Sequence, residues 1–284
     1  MFDRLAAGWD LVKQSFQVLR LDKELLMFPL FSGIACLVVM GTFAFPLWLS
    51  TSWEVSDSGG KVTLSVWSYV LGFAFYFVNY FVVIFFNTAL AGCAVIRLKG
   101  GDPVVRDGLD AAMARLPQIA GWALVSATVG LLLKSLESRS NRVGQLVAGL
   151  LGMAWSITTF FVIPVIVIER ANPVEAVRRS AAIMKSHWGE SLAANFGVGM
   201  LVFLVSLLGL IPLGAAGMAF ANQLPVLGGL LVAVAVLYLV AVALVSSTLH
   251  TIILSALYVY AAEHKTPANF DAASLDHAFS AKFR

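Results

Sequence analysis

Six long apolar segments constrain the fold of this chain more than any other feature of its sequence. Apolar runs of more than about 18 residues with few charges predict helices that span a lipid bilayer. The runs are continuously apolar and do not alternate with polar residues, so they predict helices rather than the strands of a barrel. Their bounds are Leu25–Ser50, Leu64–Ile96, Gln118–Leu133, Gly144–Ile168, Ser191–Ala221 and Val226–Ala262.

The composition agrees with a single integral membrane domain over residues 1–284. Hydrophobic residues make up 60% of the chain and charged residues 12%, whereas soluble domains are usually about 45–50% apolar and about 25% charged. Charges interrupt the first twenty residues, so we expect no secretory signal peptide and a first span that stays as an anchor. Cys36 and Cys93 lie in apolar spans, which favours packing roles over a disulfide or a metal site.

A short amphipathic helix is predicted before each successive pair of apolar segments. The first covers Phe2–Arg20, the second opens at Pro103, and the third runs from Asn172 to Trp188. Apolar residues recur at spacings of three and four in each, as on one face of a helix. In the third helix this stripe is Val174, Val177, Ala181, Met184 and Trp188. Between Thr51 and Val62 the polar sequence predicts a surface loop.

The predicted fold is therefore an all-α membrane bundle of six transmembrane helices, arranged as three hairpins. Each hairpin follows one cytoplasmic amphipathic helix, which divides the chain into repeat units of about 1–98, 99–170 and 171–264. Residues 265–284 form a polar cytoplasmic tail.

The basic residues predict how the spans are oriented. Of the 19 Lys and Arg residues, 15 lie in the N-terminal segment, the two loops that contain the second and third amphipathic helices, and the tail. The positive-inside rule places these segments, and both termini, in the cytoplasm. The third span is short and flanked by Lys134, Arg139 and Arg142. If it is re-entrant, the topology downstream of it inverts.

Two stretches resemble known bacterial membrane proteins. The sequence N-P-V-E-A-V-R-R-S-A-A-I-M-K-S-H-W-G-E, which starts at Asn172, resembles membrane domains attached to glycerophosphodiester phosphodiesterases. The opening F-D-R-L-A-A-G-W-D-L-V-K-Q-S-F, from Phe2, is similar to that of an uncharacterised multi-pass bacterial family. The resemblance implies a protein of the bacterial inner membrane, and it supplies no phosphodiesterase activity and no catalytic residues.

The third amphipathic helix carries the candidate lipid- or partner-binding surface, composed of Arg178, Arg179, Lys185 and Trp188, with Trp9 on the first helix. Each basic residue near an anionic membrane surface contributes about 1 kcal/mol of binding. In one interpretation the helices lie in the inner headgroup layer. In the other they pack on the protein's own overlong spans. Glu169 and Arg170 end the fourth span, and a pairing with Arg178 or Glu175 is one way to fix the cytoplasmic helix.

A second candidate site is an intramembrane polar path through Asn79, Asn87 and His250. Polar groups inside spans often mark the path of an ion or a solute. The alternative is that they hold helices together through hydrogen bonds, and that hydroxyl groups near His250, such as Thr248 and Thr251, bond to their own helix.

Signatures of enzymes are missing from the sequence. It contains no H-E-x-x-H, Walker or G-x-S-x-G motif, and its four histidines lack the spacing of metal ligands. We therefore expect no catalytic residue, cofactor or metal. The expected function is a non-enzymatic scaffold that binds lipid or a partner through its cytoplasmic helices. A passive channel or transporter for a small or lipidic solute is the alternative, and a lipid-modifying enzyme is a third possibility. The expected partners are membrane lipids and a protein partner or second copy, not nucleic acid.

Overall fold

The structure, a computed structural model, describes residues 2–53, 66–139, 142–186, 199–200, 202–263, 265–271 and 275. Within these ranges the regular structure is helical, which confirms the all-α prediction. A 3-10 helix (Lys23–Leu26) precedes α2, and residues 202–207 form a helical segment before α9. The α-helices are α1 (Phe2–Leu21), α2 (Met27–Trp53), α3 (Val66–Leu98), α4 (Val105–Met113), α5 (Leu116–Arg139), α6 (Arg142–Thr158), α7 (Val162–Glu169), α8 (Pro173–Ser186), α9 (Leu210–Ala221) and α10 (Pro225–Glu263).

Six stretches of these helices are long and apolar enough to cross a membrane, which confirms the predicted number of spans among the described residues. Their bounds are Lys23–Phe45, Tyr69–Leu98, Leu116–Ser138, Gly144–Glu169, Val202–Ala221 and Pro225–Glu263. The third of them is continuous. At 1.5 Å per residue its 23 residues measure about 34 Å, which is close to the hydrocarbon thickness of about 30 Å. The predicted start of the fifth span at Ser191 lies outside the described residues.

The fourth span is broken, although the sequence analysis treats it as one continuous helix. A turn at residues 159–161 separates α6 from α7. Pro164 lies in the first turn of α7, where it has no N–H to donate and its ring would clash with the carbonyl of Phe160 in an unbroken helix. The proline therefore explains the break.

Two other predictions about chain breaks have different outcomes. Helix α2 extends to Trp53, so the loop predicted from Thr51 is wrong for its first three residues, and most of that loop lies outside the described residues. The predicted turn after Ala221 is confirmed at residues 222–224. There Gln223 has a positive φ of 59°.

The chain divides into two compact units. The central unit consists of Met27–Cys93 and Val104–Met184, and the terminal unit consists of Met1–Leu26, Ala94–Pro103 and Lys185–Arg284.

In the central unit, neighbouring spans contact each other through aromatic rings. Phe43 of α2 meets Phe75 of α3 edge to face, with ring centroids 5.8 Å apart. Trp122 of α5 stacks on Trp155 of α6 at 5.7 Å. Such ring pairs contribute about 0.5–1.5 kcal/mol beyond the area that they bury, so they favour side-by-side packing of these helices.

The short helix α4 packs closely against α3 in the same unit. Gly108 of α4 is buried, and a Cβ atom built on it would lie 2.6 Å from the carbonyl oxygen of Ala89 and 2.7 Å from Sγ of Cys93. Only a residue without a side chain fits this approach. The thiol of Cys93 also donates to the carbonyl oxygen of Val104 at 3.4 Å, so α4 is bound to the protein itself along this face.

In the terminal unit, α9 and α10 lie side by side after the turn at 222–224. The hydroxyl of Tyr238 donates to the carbonyl oxygen of Val205 at 2.7 Å, and the ring of Phe220 covers Gly228. Helix α1 also packs against α10. The chain beyond α10 is held to the end of α3, because the N–H of Ala268 donates to the carbonyl oxygen of Leu98 at 2.7 Å.

Candidate functional site

Helix α8 carries most of the predicted surface, and its start is fixed by local sequence. Asn172 is the N-cap, and its Oδ1 accepts the N–H of Glu175 at 3.0 Å. Pro173 occupies the first helical position, where its fixed φ suits the helix and its missing N–H costs nothing. Three residues separate the start of α8 at Pro173 from the end of α7 at Glu169. Since a residue spans at most about 3.6 Å, α8 starts close to the end of the fourth span.

The buried face of α8 differs from the predicted stripe. Ala176, Ser180, Ile183 and Met184 are buried, whereas Val174 is 61% exposed. At about 100° per residue the observed face lies roughly a quarter of a turn from the predicted one. Small residues at 176 and 180 allow the backbone to approach its neighbours closely, so packing overrides the apolar periodicity.

Ser180 links α8 to the break in the fourth span. The N–H of Phe161, which lies in the turn between α6 and α7, donates to Oγ of Ser180 at 2.9 Å, and the contact is buried. A break in a span leaves backbone groups that lipid cannot satisfy. Ser180 supplies an acceptor for one of these groups, so this part of α8 faces the fourth span of the protein. The sequence analysis missed both this contact and the break. Pro164 was the signal in the sequence that could have revealed the break.

The basic residues of α8 divide into two sets. Arg178 and Lys185 are exposed and lie seven positions apart, which places them on one side of the helix. Arg179 lies on another side, and its guanidinium donates to Oε1 of Glu169 at 2.9 Å. The suggested pairing of Glu169 with Arg178 is therefore wrong, because the rotation of α8 brings Arg179 to the carboxylate. We call Val174, Arg178, Ala181 and Lys185 the α8 outer face.

The aromatic residues of the predicted surface have separate positions. Trp9, on α1, is 54% exposed. Trp188 lies outside the described residues.

Arg115 is a half-buried cation that the sequence analysis did not single out. Its guanidinium donates to the carbonyl oxygens of Ala111 at 2.7 Å and of Ile166 at 3.1 Å, and also to that of Val167. These carbonyls lie at the C-terminal ends of α4 and α7, where the helix dipoles favour a positive charge. Burial lowers the pKa of Arg115, and the positive charge of Arg170 lowers it further. The residue thus caps two helices.

A cluster of charges surrounds the end of α3 in the terminal unit. Arg97 donates to the carboxylates of Asp22 and Asp102, and Asp22 is 7% exposed. Lys99 pairs with Glu263 at 2.7 Å. Removing one partner of a buried ion pair destabilises a protein by several kcal/mol. The cluster therefore holds the segments of this unit together.

The predicted polar path is divided between the two units. Asn79 and Asn87 belong to α3 in the central unit, where both are half-buried. The amide of Asn79 donates to the carbonyl oxygen of Phe75, in its own helix, at 2.9 Å. His250 belongs to α10 in the terminal unit, and it lines a cleft of about 540 Å³. Nearby, the hydroxyls of Thr248 and Thr251 donate to carbonyls of α10.

A polar cavity in the terminal unit was not predicted. It measures about 570 Å³ and lies between α1 and residues 269–271. Gln14 accepts the N–H of Asp271 at 3.2 Å, and Lys13 and Asp10 also line the cavity. Within the described part of the chain, no three His, Cys, Asp or Glu residues lie close enough together to hold a metal ion.

The six apolar helices and the all-α architecture of the described residues are compatible with a multi-pass helical membrane protein. A family model described as a family of unknown function (DUF6159) matches residues 66–268, and the chain belongs to this family. The expectation of an uncharacterised family agrees with this match, although residues 66–268 do not include the opening stretch from Phe2 that carried the resemblance. No curated protein matches the chain. Neither comparison links it to glycerophosphodiester phosphodiesterases, so that relationship stays a prediction.

Proposed function

We propose that the protein is a non-enzymatic scaffold of the bacterial inner membrane, which binds anionic lipid headgroups through the α8 outer face. One observation carries the proposal: Ala176, Ser180, Ile183 and Met184 are buried, while Arg178 and Lys185 are exposed. The helix is thus anchored by one face and presents two cations from another. Its start, separated from a span by three residues, supports a position at the membrane surface.

The binding mode that we propose is electrostatic attraction without deep insertion. Met184 is only 3% exposed, so it is not available to acyl chains. Val174 is the exposed apolar residue beside Arg178, and it adds a small apolar contact. Two basic residues near an anionic surface contribute about 2 kcal/mol together.

The proposal also includes the arrangement of the chain across the membrane. Both termini and helices α1, α4 and α8 lie on the cytoplasmic side, as the distribution of Lys and Arg indicates, and the spans pair as three hairpins. The contacts of Phe43 with Phe75, of Trp122 with Trp155 and of Tyr238 with Val205 support this pairing.

The test compares lipid selectivity in nanodiscs that contain phosphatidylglycerol and phosphatidylcholine. The fraction of spin-labelled phosphatidylglycerol immobilised by the protein is measured for the wild type and for the double variant Arg178→Gln/Lys185→Gln. The expected loss is about 2 kcal/mol, or about 20-fold to 30-fold in relative affinity.

The matched control is Glu169→Gln/Arg179→Gln. It also changes two residues at or beside α8 but leaves the net charge unchanged, because these side chains form an ion pair. We expect its selectivity to remain close to that of the wild type. Unchanged selectivity in Arg178→Gln/Lys185→Gln would contradict the proposal.

Passive transport remains the alternative function. It requires that Asn79, Asn87 and His250 contribute to conduction, so substitution of these three residues should abolish solute flux into reconstituted vesicles. The observation that favours transport is that His250 lines a cleft.

A further inference from the structure

A cleft between two helical segments of the terminal unit has no role in the proposed function. It lies between Gly199, Val202 and Ser206 on one side and the middle of α10 on the other, and its volume is about 540 Å³. Pockets of about 300–1,000 Å³ are typical of small-molecule sites. The residues that line the cleft lie within the fifth and sixth candidate spans or next to them, so its natural ligands are molecules dissolved in the bilayer.

The lining of the cleft changes from apolar to polar along α10. Leu239, Val242 and Ala243 form an apolar part. Ser246, Ser247 and His250 follow them over the next turns of the same helix. No Lys, Arg, Asp or Glu is among the described lining residues. A ligand that fits this lining has an apolar chain at one end and an uncharged group that forms hydrogen bonds at the other.

The depth of the cleft in the membrane follows from the exposure of α10. Exposed apolar side chains run along the helix from Val226 to Val240, whereas Thr248 and residues 251–259 are buried in the protein. A hydrocarbon layer of about 30 Å that begins after the turn at 222–224 ends near residue 245, at 1.5 Å per residue. The apolar part of the cleft therefore lies in the hydrocarbon and the polar part at the headgroup level.

We propose that this cleft binds a neutral membrane amphiphile, with one acyl chain along Leu239, Val242 and Ala243. Its hydroxyl or ester groups form hydrogen bonds with Ser246, Ser247 and His250. The change from apolar to polar lining coincides with the boundary of the hydrocarbon, where an amphiphile changes from chain to headgroup. The described lining residues carry no charged group, which favours an uncharged headgroup over an anionic one.

The experiment uses the full-length protein in nanodiscs and a monoacylglycerol with a photoreactive diazirine on its acyl chain. After irradiation, mass spectrometry identifies the labelled peptides. The wild type is expected to carry the label on the peptide that contains residues 239–250. Ala243→Trp fills the apolar part of the cleft, so labelling of this peptide should fall to background. Labelling that persists in this variant would overturn the proposal.

Ala241→Trp is the matched control. Ala241 is exposed on the same helix but does not line the cleft. The control should be labelled like the wild type, and an equal loss in both variants would show that the label reports general lipid contact, which would overturn the proposal.

If Ala243→Trp does not fold, competition in the wild type replaces it. Unlabelled monoacylglycerol should then displace the probe, and failure to do so would overturn the proposal.

The polar end of the cleft is tested separately with Ser246→Ala/Ser247→Ala. Loss of two hydrogen bonds should lower labelling by the monoacylglycerol probe about tenfold. A diazirine-bearing alkane of the same length, which has no headgroup, should label both proteins equally and weakly. A wild type that is labelled as strongly by the alkane, or by a fatty acid carrying the same diazirine, would contradict the neutral headgroup.

Discussion

At the scale of single residues, Ser180 shows how one hydroxyl supports a broken membrane span. It is fully buried, and its hydroxyl accepts the N–H of Phe161, which lies 19 positions earlier in the chain. Without this acceptor the N–H would remain in a region that water does not reach. The serine therefore stabilises both α8 and the turn between α6 and α7.

We expect Ser180→Ala to lower the free energy of unfolding by about 1–3 kcal/mol, because it removes the hydroxyl that accepts the buried N–H of Phe161. Unfolding in mixed micelles with increasing denaturing detergent measures the change. The control is Ser156→Ala, because the exposed hydroxyl of Ser156 bonds only to the carbonyl of Gly152 in its own helix. Equal stability of the two variants would show that the Phe161 contact contributes nothing.

At the scale of elements, the contact of α4 with α3 depends on the absence of a side chain. Gly108 lies in the middle of α4 and faces the carbonyl of Ala89 and the ring of Phe28. A carbonyl oxygen of an intact helix cannot move aside as the tip of a flexible side chain can. The approach of the two helices is thus set by the size of one residue.

Gly108→Ala is expected to destabilise the protein by about 1–3 kcal/mol, the usual cost of overpacking, although alanine is the better helix former. Thermal unfolding in detergent, followed by circular dichroism, measures the effect. Gly149→Ala in α6 is the control, since a Cβ atom there meets nothing within 4 Å. It should be neutral or stabilising, and a melting temperature of Gly108→Ala at or above that of Gly149→Ala would refute the tight contact.

At the scale of the whole molecule, the distribution of charge predicts which side of the membrane each segment occupies. The segments that contain α1, α4 and α8, together with the C-terminal tail, carry most of the Lys and Arg residues, which predicts that they lie in the cytoplasm. The third span decides the rest of the topology, because a re-entrant segment there would invert everything that follows.

Reporter fusions test this topology. Alkaline phosphatase fused after Gln223 should be active, because the turn at 222–224 then lies outside the cytoplasm. The same enzyme fused after Ala171 or after Arg284 should be inactive, and green fluorescent protein at these two positions should fluoresce. The reverse pattern at Ala171 and Gln223, together with an inactive alkaline phosphatase fused after Lys99, would establish a re-entrant third span.

Much of the architecture could be predicted from the sequence, for a physical reason. Whether a segment enters a bilayer depends on its own length and apolarity, and both can be read locally. The six spans, the turn after Ala221 and the start of α8 at Asn172 all follow from such local signals. The candidate surface was only partly predictable, because the sequence identifies basic residues near a membrane but not the partners that neutralise them.

The sequence by itself determined that this is a helical membrane protein with six spans, because the preference for lipid over water is a property of each segment. The tertiary structure alone decided which face of α8 is buried. It also decided that Arg179 rather than Arg178 pairs with Glu169, and that Ser180 satisfies Phe161. These outcomes depend on the approach of small residues between helices, and the periodicity of one helix contains no information about the shape of its neighbour.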